Sequence, residues 1–129
     1  MTTEGGAKAI GSRLPETCEV VKVGKTSSSG KSLDMVEALA ELRSRGLKVL
    51  LTEGGPHLMG HLIDKGLVDE AFLTISPVMA GRDTESRLGM VEGVELLPNR
   101  GVWSTLLSAR RHGDYLFLRY RTPAPAARA

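Results

Sequence analysis

Val49-Leu50-Leu51-Thr52-Glu53-Gly54-Gly55-Pro56-His57-Leu58-Met59-Gly60 is the stretch that decides how this chain is read. Three apolar residues and a threonine predict a buried strand. Two glycines then let the backbone turn sharply. Pro56 stands where proline best opens a helix, because its missing N–H would be unbonded there anyway. Leu58, Met59, Leu62 and Ile63 make one apolar helix face, and Gly66 stops the helix. The reading is strand, glycine turn, helix. The first turn of such a helix offers free N–H groups at the positive end of its dipole, and glycines without side chains let a phosphate come close. Glu53 stands at the strand end, where open α/β sheets carry their ligands. A carboxylate repels phosphate, so its partner there is a hydroxyl or an amine. On local pattern alone, glycines needed only for tight packing explain the turn equally well.

Upstream, Ala7, Ile10 and Leu14 fall three and four apart from Glu4 onward, which predicts a helix ended by Pro15. Residues 19 to 23 (Glu-Val-Val-Lys-Val) predict a strand, and residues 24 to 31 a polar loop. Ser32 is an N-cap candidate for the next helix, with Asp34 beside the dipole's positive end. Val36, Leu39 and Leu42 line that helix's core face, Glu41 and Arg45 pair four apart, and Gly46 closes it.

Downstream, residues 71 to 76 alternate, with Ala71, Leu73 and Ile75 on the drier side and Pro77 at the margin. Residues 80 to 99 are glycine-rich, with a short turn or strand near Val94-Glu95-Leu96-Leu97. Residues 103 to 111 and 115 to 121 predict a hairpin around His112-Gly113-Asp114. Residues 123 to 129 read as a disordered Pro/Ala tail. Helices alternating with strands argue for an α/β fold on a mostly parallel sheet, with the terminal hairpin antiparallel.

The chain has 129 residues, enough for one domain with a real core. Its net charge of +2 comes from scattered residues, so no basic face for nucleic acid is expected. A single cysteine, Cys18, excludes an internal disulfide and a cysteine zinc cluster, and fits a reducing cytoplasm. No apolar run reaches membrane-spanning length.

Leu50 to Leu58, then Leu67-Val68-Asp69-Glu70, then Leu73-Thr74-Ile75-Ser76-Pro77-Val78 resemble, in this order and spacing, the riboflavin-pathway pyrimidine reductases. The resemblance is to the C-terminal reductase domain of the bifunctional deaminase-reductase, and it runs over nearly the whole chain. It implies a dihydrofolate-reductase-like three-layer sandwich over residues 1 to 122, incomplete at its N-terminus, because the family domain begins well before this chain does. It also implies a homodimer and NADPH-dependent reduction of a ribosylaminopyrimidine phosphate. The substrate would be 5-amino-6-(5-phosphoribosylamino)uracil or its diaminopyrimidinone equivalent, and the product its ribitylamino counterpart. Glu53 matches the family's contact to the ribose side of the substrate. Gly54, Gly55, Pro56, His57, Leu58, Met59, Gly60 and His61 match the positions along the NADPH phosphates. No counterpart is found for the family residues that bind the pyrimidine and the substrate phosphate, no catalytic residue is singled out, and little turnover by the chain alone is expected. A non-catalytic, nucleotide-binding or self-associating α/β module is the alternative reading.

Three other features are blander than they look. Gly24-Lys25-Thr26-Ser27-Ser28-Ser29-Gly30-Lys31-Ser32 has five residues between its glycines where a phosphate-binding P-loop has four. His57 and His61 have metal-ligand spacing, but Leu-Met-Gly lies between them with no glutamate base, so solvent- or cofactor-facing histidines are expected. Arg110-Arg111 sits in the expected turn and reads as a solvated end.

Overall fold

The computed structural model describes residues 1–11, 13–24, 33–81 and 88–123. The chain divides into two compact units, Met1–Thr52 and Glu53–Ala129. The predicted loop at residues 24 to 31 (apart from Gly24), the Ser32 cap and the tail after Pro123 lie outside the described residues.

In the first unit, helix α1 spans Glu4–Ile10. The Thr3 hydroxyl caps it by accepting from the Gly6 N–H at 3.1 Å. Gly6 has a positive reason to be glycine, since a Cβ there would collide with the Thr2 hydroxyl. The helix stops at Gly11, whose φ of 55° breaks it, so Leu14 falls outside. Residues 19 to 23 do not form the expected strand. They contribute one parallel bridge, in which Thr2 donates to the Val21 carbonyl and accepts from the Val23 N–H, both at 2.9 Å. Val23 is buried there.

Helix α2 spans Met35–Ser44. Asp34 is its N-cap, accepting from the N–H groups of Val36 at 2.8 Å and Glu37 at 3.2 Å. The N–H of Gly46 bonds the Arg43 carbonyl and that of Leu47 bonds the Leu42 carbonyl, with Gly46 at φ 85°. That is the paired closure which a left-handed glycine makes possible. Ala38 is the buried residue of α2, and Leu39 and Leu42 are half-buried. Val36, expected on the core face, is exposed. Arg45 bonds Glu41 at 2.8 Å and grips both carboxylate oxygens of Glu19 at 2.7 and 2.8 Å.

Residues 49 to 52 are not a strand. Val49 is 91% exposed and Leu51 78% exposed, and residues 47 to 55 belong to neither helix nor sheet. Apolar composition creates a demand for burial, but a strand exists only where a neighbouring backbone offers a matching row of donors and acceptors. Here the strands pair among themselves.

Among its described residues, the second unit carries helix α3, Pro56–Asp64, and three strands: β1 Glu70–Ile75, β2 Thr105–His112 and β3 Tyr115–Arg121. Their order is β1-β3-β2 and both pairings are antiparallel, so the mostly parallel sheet expected from the sequence is not what forms. The hairpin is where it was expected. Tyr115 pairs with His112 across Gly113-Asp114, and Gly113 at φ 57° takes the turn position that favours glycine. Arg121 faces Glu70 and Leu116 faces Ile75 in the β1–β3 register. Opposed residues share a face, so Ala71, Leu73 and Ile75 lie with Tyr120, Leu118 and Leu116. Leu118 and Tyr120 are half-buried on that face. Leu73 is 37% exposed against 69% for Phe72 on the other face, so the alternation is real but the face stays open. On the Phe72 face, the Arg119 guanidinium lies 5.6 Å from the Phe72 ring and bonds Glu70 at 2.7 and 2.8 Å.

The hydrogen bonds from Arg45, and then its charge, hold the Glu19 carboxyl below the ordinary glutamate range. An acid with a depressed folded-state pKa adds stability above its unfolded pKa and loses it as pH falls through the folded value. Glu19→Gln should therefore lower the thermal midpoint near neutral pH. The gap to wild type should begin to close below pH about 4.3, the ordinary glutamate value, and vanish under stronger acid. Thermal melts of both chains across pH check this.

Candidate cofactor site

Helix α3 starts as its sequence demands. Pro56 occupies the first helical position and Gly55 the N-cap, with φ −69° and ψ 177°. Gly55 has no side chain to cap the helix, and the first turn holds no acidic residue. The first helical bond runs from the Met59 N–H to the Gly55 carbonyl at 3.1 Å. The N–H groups of His57 and Leu58 precede it and have no partner within the helix, which is the usual state of a first turn. A side chain at Gly55 would meet nothing within 4 Å. This end of α3 is therefore open, uncapped and free of carboxylates within the helix. Such a donor set suits an anion, so the residues fit a cofactor phosphate.

The nine residues singled out from the sequence do not gather at one point. Glu53, Gly54, Gly55, Pro56, His57 and Leu58 surround the helix start. Glu53 and His57 are exposed. Gly54 is a packing glycine, because a Cβ there would run into the Leu58 side chain, with Leu58 Cβ and Cγ at 3.2 Å. Met59 is half-buried one turn on. Gly60 is buried against another segment: a Cβ there would overlap the Glu92 carbonyl oxygen and lie 3.2 Å from Val94 Cγ1. His61 faces a cleft of about 620 Å³ lined also by Asp64, Gly93, Val94, Glu95, Asn99 and Arg100. Among the described residues no group of three or more His, Cys, Asp and Glu side chains is placed to hold a metal ion. No helix there is long and apolar enough to cross a membrane.

Sequence reading missed the partners of α3. The Glu92 N–H donates to the Pro56 carbonyl at 3.1 Å, and Arg100 forms an ion pair with Asp64. Gly93, at φ 79°, was the one available signal, since it marks a special backbone position in that stretch.

The model of the RibD C-terminal domain matches residues 1–106. This chain belongs to the RibD C-terminal domain family. The family is that of the reductase domains of riboflavin biosynthesis. Among solved structures, RibD of Acinetobacter baumannii (form 2) is similar with a TM-score of 0.58 and 19% sequence identity. The alignment covers 87% of this chain and 35% of that one, so this chain spans about a third of the length of the RibD structure it matches. At that identity the likeness is one of fold. No curated protein matches this chain. The match to the family includes all of α3 and its start.

The two adjacent glycines should separate in a stability measurement. Gly54→Ala forces a methyl into Leu58 and should cost about 1–3 kcal/mol, the range for overpacking. Gly55→Ser points into open space and adds a cap, so it should be neutral or stabilising by about a few tenths of a kcal/mol. Denaturant melts of the two variants decide it.

Proposed function

We propose that this chain is an NADPH-dependent pyrimidine reductase domain of riboflavin biosynthesis, built on a dihydrofolate-reductase-like sandwich. Its substrate is 5-amino-6-(5-phosphoribosylamino)uracil or the diaminopyrimidinone equivalent, and its product is the ribitylamino compound. What carries the reading is the start of α3, with no side-chain cap and no acidic residue in its first turn, inside the stretch matched by the family model.

NADPH, when bound, supplies the hydride for the sugar carbon of the substrate. The chain's own part is to bind and orient. The His57 and Leu58 N–H groups, at the positive end of the helix dipole, would hold the cofactor's phosphates, and Gly55 would leave room for them. Pro56 pre-sets the first turn. His57 and His61, both exposed, stand on the polar side of the helix. Glu53 accepts a hydrogen bond from a hydroxyl or amine on the ribose side of the substrate.

A homodimer is part of this reading. Among the described residues, Val23, Ala38 and Leu62 are the only buried hydrophobic side chains, while Leu73, Ile75, Leu106 and Leu116 are exposed on one face of the sheet. Apolar faces and unpaired strand edges of this kind favour association. Sedimentation at micromolar concentration should give a dimer or larger species, and a clean monomer would count against it.

The cofactor site has a test in which stability and binding move in opposite directions. Gly55→Asp supplies the missing cap and an acid at the helix start, which should stabilise the fold by about 0.3–1 kcal/mol. The same carboxylate takes the N–H groups and repels phosphate, so NADPH affinity should drop by more than about tenfold, or 1.4 kcal/mol. Fluorescence titration beside a thermal melt reads both. Affinity that survives a stabilising cap would remove the phosphates from this helix.

A further inference from the structure

An anion site on a helix start has a built-in conflict. The N–H groups must be left for the ligand, so they cannot also be capped by the protein, and an uncapped first turn is loosely held. In this chain α3 is held from its carbonyl side instead. The Glu92 N–H donates at 3.1 Å to the carbonyl of Pro56, the first residue of the helix. Gly60 lets that segment in, since any Cβ at residue 60 would overlap the Glu92 carbonyl oxygen. The Glu92 carboxylate in turn accepts from the Gly89 N–H, which folds the segment on itself. At the other end, Arg100 pairs with Asp64, the last residue of the helix, while its own N–H bonds the Leu96 carbonyl at 2.7 Å. Asp64 is at the end of α3 where the dipole disfavours an acid, and Arg100 offsets that. One segment thus grips the first and last residues of a nine-residue helix and leaves the N–H end clear.

We propose that residues 89 to 100 form a strap that positions α3, with Glu92, Gly60 and the Asp64–Arg100 pair as positioning residues for the phosphate-binding turn. The proposal rests on the cofactor reading above. It gives Gly60 a role through Glu92 rather than by contact with the cofactor.

The test is NADPH titration of the whole chain and of Gly60→Ala, Asp64→Arg, Arg100→Asp and the double swap Asp64→Arg/Arg100→Asp. Each is paired with amide exchange at the Met59 N–H, the first bonded group of the helix. Gly60→Ala should weaken NADPH about tenfold or more and speed exchange at Met59. The two single charge variants change the field at an anionic ligand in opposite directions. Both should nevertheless weaken binding and speed exchange, and the double swap should restore both. If Gly60→Ala fails to fold, the charge set decides alone, because breaking one half-exposed ion pair is too small a loss to unfold the chain yet still frees the helix end that it holds. Affinity that simply follows charge, tighter in Asp64→Arg and weaker in Arg100→Asp, overturns the strap, as does unchanged affinity throughout. Both outcomes leave the cofactor reading standing. A wild-type chain that does not bind NADPH overturns the cofactor reading and the strap together.

Discussion

The second unit depends on one close approach, between the backbone at Glu92 and the helix at Gly60. Helix α3 has nine residues, shorter than a helix that holds itself together in water. Its stability must come from what it packs on. With no side chain at residue 60, the chain at Glu92 comes near enough to bond the Pro56 carbonyl. Any larger residue at 60 would hold the two segments apart and remove that bond. The geometry also explains why the start of α3 can remain uncapped. The restraint acts on carbonyls, and the N–H groups are left out of it.

The three-stranded sheet is organised around β3, which has a partner on each side. Glu70, Phe72 and Arg119 form its best-defined side-chain cluster. The guanidinium bonds the carboxylate with two nitrogens and places its central carbon 5.6 Å from the centre of the aromatic ring; Lys could not match the two-nitrogen grip. This cluster straddles β1 and β3 and helps to set their register. The turn at Gly113-Asp114 sets the register of β2 against β3, with an irregularity between Leu106 and Ser108.

Membership in the RibD C-terminal domain family coexists with only 19% identity to the RibD structure from Acinetobacter baumannii. The Gly-Gly-Pro start of α3 is a local pattern inside the stretch that the family model matches. The Asp64–Arg100 pair, by contrast, is a contact that spacing along the chain does not announce.

What the sequence determined by itself was local. Pro56 started α3 and Gly66 stopped it; Gly46 closed α2; Glu41 met Arg45; Gly113 turned the hairpin. Each of these rests on dihedral preferences or on groups a few residues apart, and such forces act whatever the rest of the chain does. The tertiary structure decided the rest. Residues 49 to 52 have the composition of a buried strand and stand outside the sheet, because pairing needs a neighbour that composition cannot supply. Strand direction went the same way for β1: helices between strands suggested parallel pairing, yet β1 pairs antiparallel to β3, on the other side from the expected hairpin partner β2. Gly60, legible in the sequence only as a glycine within α3, proved to be a point of contact with Glu92. The two residues are 32 positions apart in the chain, and only folding brings them together.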